Sequence, residues 1–315
     1  LTFWPFTGTF LTIIKTDGEF YKVFNIKDLK KITVVGMGLL GASITMSVMR
    51  AFPRVLVVGF SHRKSTRSKA ARFNVANHIA ETLQDAVTDA DIVILATPIL
   101  TFEACFCQIA PFLKSGCIVT DVGSTKASVH QWAGKKLPKT VCFVGSHPIA
   151  GSEKRGVEYA RDDLLTSARC ILTQTPKTNR QAVGLLKSFW TAMGCKVETM
   201  NPVKHDRIYG LISHLPHITA AALVNASDFE DMKYAGKGFI DTSRLASGPA
   251  DVWTDVLLTN DRNIVLGLDR LIQHLNKLKT AMHTKNARKI SKLLENAREK
   301  RHALIEYKLK HKEIY

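Results

Sequence analysis

The chain has 315 residues, 45% hydrophobic and 23% charged, enough to bury a sizeable core and to divide into two domains. Its formal net charge of +17 calls for an anionic cofactor, an anionic substrate or nucleic acid. No run approaches the roughly 18 consecutive apolar residues of a membrane-spanning helix, and no helix-turn-helix, zinc-finger or aromatic-basic pattern supports nucleic acid.

Residues 1–29 read as an N-terminal extension without clear periodicity. No basic segment precedes an apolar one there, so no secretory signal is expected. The six cysteines, Cys105, Cys107, Cys117, Cys142, Cys170 and Cys195, form no Cys-x-x-Cys pair and mostly lie in apolar runs. Reduced thiols and a cytoplasmic location are the expectation. Cys105-Phe106-Cys107 has no histidine or acid at ligand spacing, so no metal site is expected.

Lys31-Ile32-Thr33-Val34-Val35 reads as a buried strand. It runs into Gly36-Met37-Gly38-Leu39-Leu40-Gly41 and then an apolar helix over residues 42–49. Strand, Gly-x-Gly-x-x-Gly and helix in that order form the fingerprint of a dinucleotide-binding fold. Gly36 allows the tight turn, Gly38 admits the pyrophosphate, and Gly41 lets helix and strand pack closely. The helix N-terminus, at Leu39 and Leu40, offers N–H groups to the phosphates.

A second strand over residues 55–60 ends at Ser61, where an NAD-binding fold usually carries an acid for the ribose diol. His62, Arg63 and Lys64 follow, and no acid occurs between Asp28 and Glu81. The basic loop suits a 2′-phosphate, so NADP is expected over NAD. Residues 91–98 form another strand, ending in Thr97 and Pro98. The next, residues 117–122, leads into Gly123, Ser124, Thr125 and Lys126. The carboxyl ends of such strands line the ligand crevice of a doubly wound sheet.

Residues 141–144 read as a short buried strand with His147 at its end and Pro148 behind it. Proline biases the preceding residue towards extended backbone. Imidazole is the side chain best suited to taking a proton near neutral pH. Ser152, Glu153, Lys154 and Arg155 follow. Strands at 168–173 and 196–199 flank a helix at 179–193 and would extend the sheet. From about residue 202 the chain is helical. A long apolar helix over 205–226, with Pro216 inside it, suggests burial on every side, in a helical core or a dimer interface. Residues 277–312 carry 12 Lys and Arg against three Glu, which reads as a solvated helix face.

The ordered set Gly36-Met-Gly-Leu-Leu-Gly-Ala-Ser43, Asp121-Val-Gly-Ser-Thr-Lys126, His147-Pro-Ile-Ala-Gly-Ser-Glu153, Ser213-His-Leu-Pro-His217 and Asp241-Thr-Ser-Arg-Leu-Ala246, with Trp253 and Asn260, resembles the prephenate/arogenate dehydrogenase family of tyrosine biosynthesis. The resemblance covers about residues 30–300. It implies a Rossmann-type α/β domain (30–200) followed by an all-α dimerisation domain (201–315), acting as a homodimer on a small molecule. It also implies an oxidative decarboxylation: His147 takes the proton of a ring hydroxyl as hydride leaves the same carbon, and Ser124 orients His147. Arg244 would hold a substrate carboxylate and His217 the side-chain end. His205, Ser152, Glu153 and Trp253 would stand around the site, and Asp241 would reach the partner's site.

On the residues alone, His214 and His217 read first as a satisfied core pair rather than a site, and Arg244 reads also as a surface arginine and Trp253 as core. The chain departs from the family pattern at the missing acid, at Lys237 and at Gly248, where a glycine and a small polar residue are expected. No regulatory domain of useful length follows, so any tyrosine inhibition is expected at the active site. Prephenate is favoured over arogenate because a second histidine suits an α-keto acid. The alternatives are another NADP-dependent β-hydroxyacid dehydrogenase, with Lys126 as its catalytic lysine, and a non-catalytic NADP-binding module.

Overall fold

The computed structural model describes residues 14–16, 19–21, 25–150 and 154–311. Ser152 and Glu153 therefore lie outside the described residues, as does most of the N-terminal extension. The chain forms two compact units that divide between Asp261 and Arg262.

In the first unit β1 (Ile14–Thr16) and β2 (Glu19–Tyr21) form an antiparallel pair. The main sheet follows, with β3 (Lys31–Val35), β4 (Leu56–Phe60), β5 (His78–Ile79), β6 (Ile92–Leu95), β7 (Ile118–Asp121) and β8 (Cys142–Phe143). Its order is β5-β4-β3-β6-β7-β8, and every neighbouring pair is parallel. The order reverses between β3 and β6, so the loops after these two strands part and leave a crevice at the carboxyl edge. The helices α1 (Leu39–Ala51), α2 (Lys64–Arg72), α3 (Leu83–Val87), α4 (Phe102–Ile109) and α5 (Ala127–Lys136) alternate with the strands.

Strands covered on both faces need apolar side chains in both directions, which is why β3 and β6 read as continuous Ile/Val runs. Ile32, Val34, Ile92 and Ile94 share one core with Ile44 and Val48 of α1 and with Phe189 and Trp190 of α6 (Arg180–Ala192). Val35, Val93 and Leu95 face the other core, with Phe102 and Phe106 of α4. Burial of each large side chain contributes about 1.5–3 kcal/mol. Thr33 is tolerated between them because its hydroxyl donates to the Ala86 carbonyl at 2.6 Å.

Two strand expectations are corrected. The chain does not stop after β8 but changes sheet: Val144 N still donates to Val119 O, and Gly145 opens β9 (Gly145–Ile149). β9 pairs antiparallel with β10 (Arg169–Thr173), and β10 pairs parallel with β11 (Lys196–Met200), in the order β11-β10-β9. The strands flanking α6 thus build a second sheet rather than extending the first. His147 lies inside β9, opposite Ile171, rather than at a strand end. Gly145 makes the change possible, since a Cβ there would lie 2.4 Å from Thr173 Oγ1.

The apolar helix also differs from expectation. It is α7 (Pro202–Tyr209) and α8 (Leu215–Asn225), joined by a π-helical turn at Gly210–His214. Pro216 has no N–H and its ring collides with the carbonyl four residues back; the wider turn, closed by Leu215 N to Gly210 O, absorbs both. In the single chain α8 is only half-buried, with His217 and Ala220 as its buried residues. Then come α9 (Phe229–Met232), α10 (Lys237–Ser243), a 3-10 turn at Arg244–Ser247 and α11 (Ala250–Thr259).

The second unit consists of α12 (Asp261–His283) from Arg262 onward and α13 (Ala287–Lys310). Val265, Leu266, Ile272, Leu275 and Leu294 remain exposed in the single chain. No residue of α13 is buried, in keeping with its basic composition.

Candidate active site

The nucleotide cradle lies where β3 meets α1. Gly36 has φ +110°, and a Cβ there would sit 2.5 Å from the Ala96 carbonyl, so only glycine fits. A Cβ on Gly41 would lie 1.8 Å from Gly36 O. Gly38 is different: a Cβ there meets nothing within 4 Å, which leaves open space above the helix end. Gly38 is the N-cap of α1, and neither a capping side chain nor an acid in the first turn competes for its amides. An uncapped N-terminus beneath open space fits a pyrophosphate. Leu39 and Leu40 flank it, half-buried. Thr97 and Pro98 end β6 on the same edge, with the Thr97 and Thr101 hydroxyls 2.8 Å apart. Gly123, after β7, donates its N–H to Asp121 Oδ2 at 2.8 Å.

At the end of β4, Ser61 is half-buried and His62, Arg63 and Lys64 are exposed. The Arg67 guanidinium is already engaged, donating to the carbonyls of Ser61 (2.8 Å) and His62 (3.0 Å) and pairing with Glu81.

His147 stands at the centre of a buried polar chain. Its Nδ1 is 2.9 Å from His205 Nε2, and His205 Nδ1 is 2.8 Å from Asp206 Oδ1. Asp206 also accepts the backbone N–H groups of Lys126 and Ala127, each at 2.8 Å, so this α7 carboxylate caps the start of α5. A carboxylate that accepts two amides accepts from His205 as well, which puts the His205 proton on Nδ1. Neutral His205 then offers a bare Nε2, and His147 Nδ1–H donates to it. The lone pair of His147 is left on Nε2, which has no partner among the described residues.

Burial is the first cause that keeps these imidazoles neutral. It holds His147 well below its ordinary value, and the neighbouring His205, Lys126 and His214 act in the same direction because each disfavours a second cation beside it. His205 is pulled to about 2, again chiefly by burial. Tyr209 packs its ring 5.1 Å from His147 and 4.6 Å from His205.

Lys126 and Asp121 form a fully buried ion pair. Burial pulls the lysine down and pushes the carboxyl up, and their contact opposes both shifts. Lys126 Nζ also donates to Ser146 O at 2.9 Å, so it ties the loop after β7 to the strand of His147. A lysine committed in this way is not placed as a catalytic base.

On α8, His217 stacks on Trp253 with centroids 3.5 Å apart and planes at 10°. Gly248 lies against that stack. A Cβ there would sit 2.4 Å from Trp253 Nε1 and 2.6 Å from His217 Cε1, so the expected small polar residue has no room. Asp241 on α10 and Arg244 in the following turn are exposed, on elements that pack against α8. His214 is wholly buried: its Nδ1 faces Asn260 Nδ2 at 3.1 Å, and its Nε2 has no hydrogen-bond partner among the described residues. Ser124 is half-buried and makes no hydrogen bond among the described residues, so the partner found for His147 is His205.

Two segments of the sequence match profiles of a single family: the prephenate dehydrogenase nucleotide-binding domain over residues 44–199 and its dimerisation domain over residues 201–296. The chain belongs to the prephenate dehydrogenase family. It is 31% identical to the cyclohexadienyl dehydrogenase of Zymomonas mobilis, across 90% of this chain and 97% of that one. Among solved structures, it resembles prephenate dehydrogenase from Aquifex aeolicus in complex with hydroxyphenyl propionate and NAD+, at 32% identity and a TM-score of 0.81, covering 88% of this chain and 99% of that one. It also resembles Synechocystis arogenate dehydrogenase, at 30% identity and a TM-score of 0.74, covering 87% and 99%.

As a member of this family, the protein is an oxidoreductase with a Rossmann-type domain for a pyridine nucleotide, followed by a helical domain. The matched dimerisation domain supports a homodimer, which accords with the half-exposed α8. Among the described residues no helix is long and apolar enough to cross a membrane. Asp206 was missed by sequence reasoning. Its signal was present as His205-Asp206, but a carboxylate beside a histidine gains meaning only once α7 is seen to dock on α5.

Proposed function

We propose that this member of the prephenate dehydrogenase family oxidatively decarboxylates prephenate, or arogenate with the same machinery, and passes the hydride to NADP. The observation that carries the reading is His147, neutral, buried and fixed through His205 and Asp206 so that only Nε2 is available to take a proton. The ring hydroxyl gives its proton to that nitrogen as the hydride leaves the same carbon. The ring carboxylate departs as CO2, and the electron pair of its broken bond completes the aromatic ring. The nicotinamide, when bound, supplies the hydride acceptor. Ser124 hydrogen-bonds the same hydroxyl. Arg244 holds a substrate carboxylate by a bidentate pair, and His217, stacked on Trp253, meets the side-chain end. Ser152 and Glu153 assist substrate binding, and Asp241 serves the partner's site. The helical half from residue 201 pairs two subunits, and the enzyme works in the cytoplasm.

NADP is supported by Ser61 just after β4, in place of the usual acid, with Arg63 and Lys64 beside it. The NAD+ bound to the Aquifex relative favours NAD as a second reading. Steady-state turnover of prephenate and arogenate with each nucleotide tests both points. Reduction of NADP+ with a higher kcat/KM than NAD+ is the expected result. No turnover with either substrate would refute the activity, and equal use of both nucleotides would refute the cofactor assignment.

A further inference from the structure

A cavity of about 450 Å3 opens between α5, the β8 edge and the turn that leads into α6, away from the residues given roles above. One wall is apolar, with Leu137, Val141 and Phe143. Lys139 and Lys177 line it too, with Thr178 at the start of α6, and no acidic side chain does. The volume falls in the range of small-molecule sites, and the apolar wall with cationic groups matches a molecule with an apolar body and a negative end.

His130 lines the same cavity and connects it to the catalytic strand. Its Nε2 is 2.9 Å from Thr173 Oγ1, and its ring stands edge-on to Phe143 at 5.0 Å. Its Nδ1 has no hydrogen-bond partner among the described residues. Thr173 is opposite Gly145 in the pairing of β10 with β9. A Cβ added at Gly145 would lie 3.1 Å from both His130 Nε2 and Lys126 Cδ, so the bare glycine backbone faces both side chains. His147 lies two residues along β9 and therefore points to the same face. A molecule pressing on His130 presses on the strand that carries His147 and on the lysine that ties it down.

We propose that this cavity binds a small monocarboxylate with a ring-sized apolar body, and that its occupancy changes the rate at which His147 works. The binding half stands independently of the proposed function; the rate half rests on it.

The probe is 4-bromobenzoate. Its bromine is located by anomalous scattering in crystals of the enzyme, and its affinity is measured by calorimetry. Binding is compared with the Lys139→Ala/Lys177→Ala double variant and with Gly134→Leu. Gly134 lines the cavity, and a Cβ there meets nothing within 4 Å, so the leucine fills the space without disturbing the helix. The expected result is bromine in the cavity, binding weakened at least about tenfold in both variants, and a shift of kcat at saturating substrate that Gly134→Leu abolishes. Bromine found only beside His147, or equal affinity in all three proteins, overturns the site. Cavity binding with an unchanged kcat overturns the coupling. An enzyme inactive with both substrates refutes the proposed function and leaves the binding result standing.

Discussion

The surroundings of His147, the proposed base, and of Arg244, the proposed carboxylate holder, are built in opposite ways. Behind His147 the polar groups are buried and tied to one another: His205 to Asp206, Asp206 to the start of α5, Lys126 to Asp121 and Ser146. Around Arg244 the chain is a short α10 and a 3-10 turn, and Asp241, Thr242, Arg244 and Leu245 are all exposed. Proton transfer needs a fixed tautomer and a neutral ring, which only a dry, fully paired setting provides. Holding a substrate carboxylate suits an exposed guanidinium, whose planar fork can make a bidentate pair. The contrast predicts that mutations on the base side cost rate or stability, and that those on the open side cost substrate affinity.

The largest effect is expected at His147. His147→Asn should lower kcat by on the order of 10²–10⁴ with nucleotide affinity retained; a normal kcat would remove the base role. Arg244→Lys comes next. It keeps the charge but loses the planar fork, so KM for the carboxylate substrate should rise by roughly tenfold or more while kcat moves much less. A fall in kcat alone, with KM unchanged, would erase the proposed division between the two sides.

A separate effect is on folding in acid. The buried histidines have native pKa values below the ordinary 6.5: His214 and His130 at about 4, and His205 at about 2. Below pH 6.5 the unfolded chain binds protons that the native state refuses. The stability they contribute is therefore full above that pH and is lost as pH falls through the native values. Each histidine contributes a slope of about 1.4 kcal/mol per pH unit inside that window. The midpoint of thermal unfolding should drop steadily from pH 6.5 to 4.5, and His130→Gln should flatten the slope. A flat profile would mean that these imidazoles are not held neutral.

How much of this was legible in the sequence follows from how local each feature is. The cradle around Gly36, Gly38 and Gly41 was readable because strand, turn and helix are consecutive and each glycine answers to a contact a few residues away. The position of His147 was misread by one element. The break between β8 and β9 is set by which distant strand each half pairs with, and Val144-Gly145 shows no turn signal. The hydrogen-bond chain was invisible for the same reason, since Asp206 is paired with the start of α5, about 80 residues earlier. Gly248 looked like a departure from the family pattern. The Trp253–His217 stack turns it into a requirement, because no side chain fits against those two rings. One helix was read straight through Pro216, and the π-helical turn that accommodates the proline was not expected.

The proposed mechanism requires that His147 rest as a neutral imidazole with its proton on Nδ1. The 15N shifts of its ring nitrogens measure this directly. A protonated Nδ1 and a bare Nε2 are expected at pH 7, with the same pattern persisting below pH 6.5. A proton on Nε2 at pH 7, or an imidazolium at that pH, would contradict it.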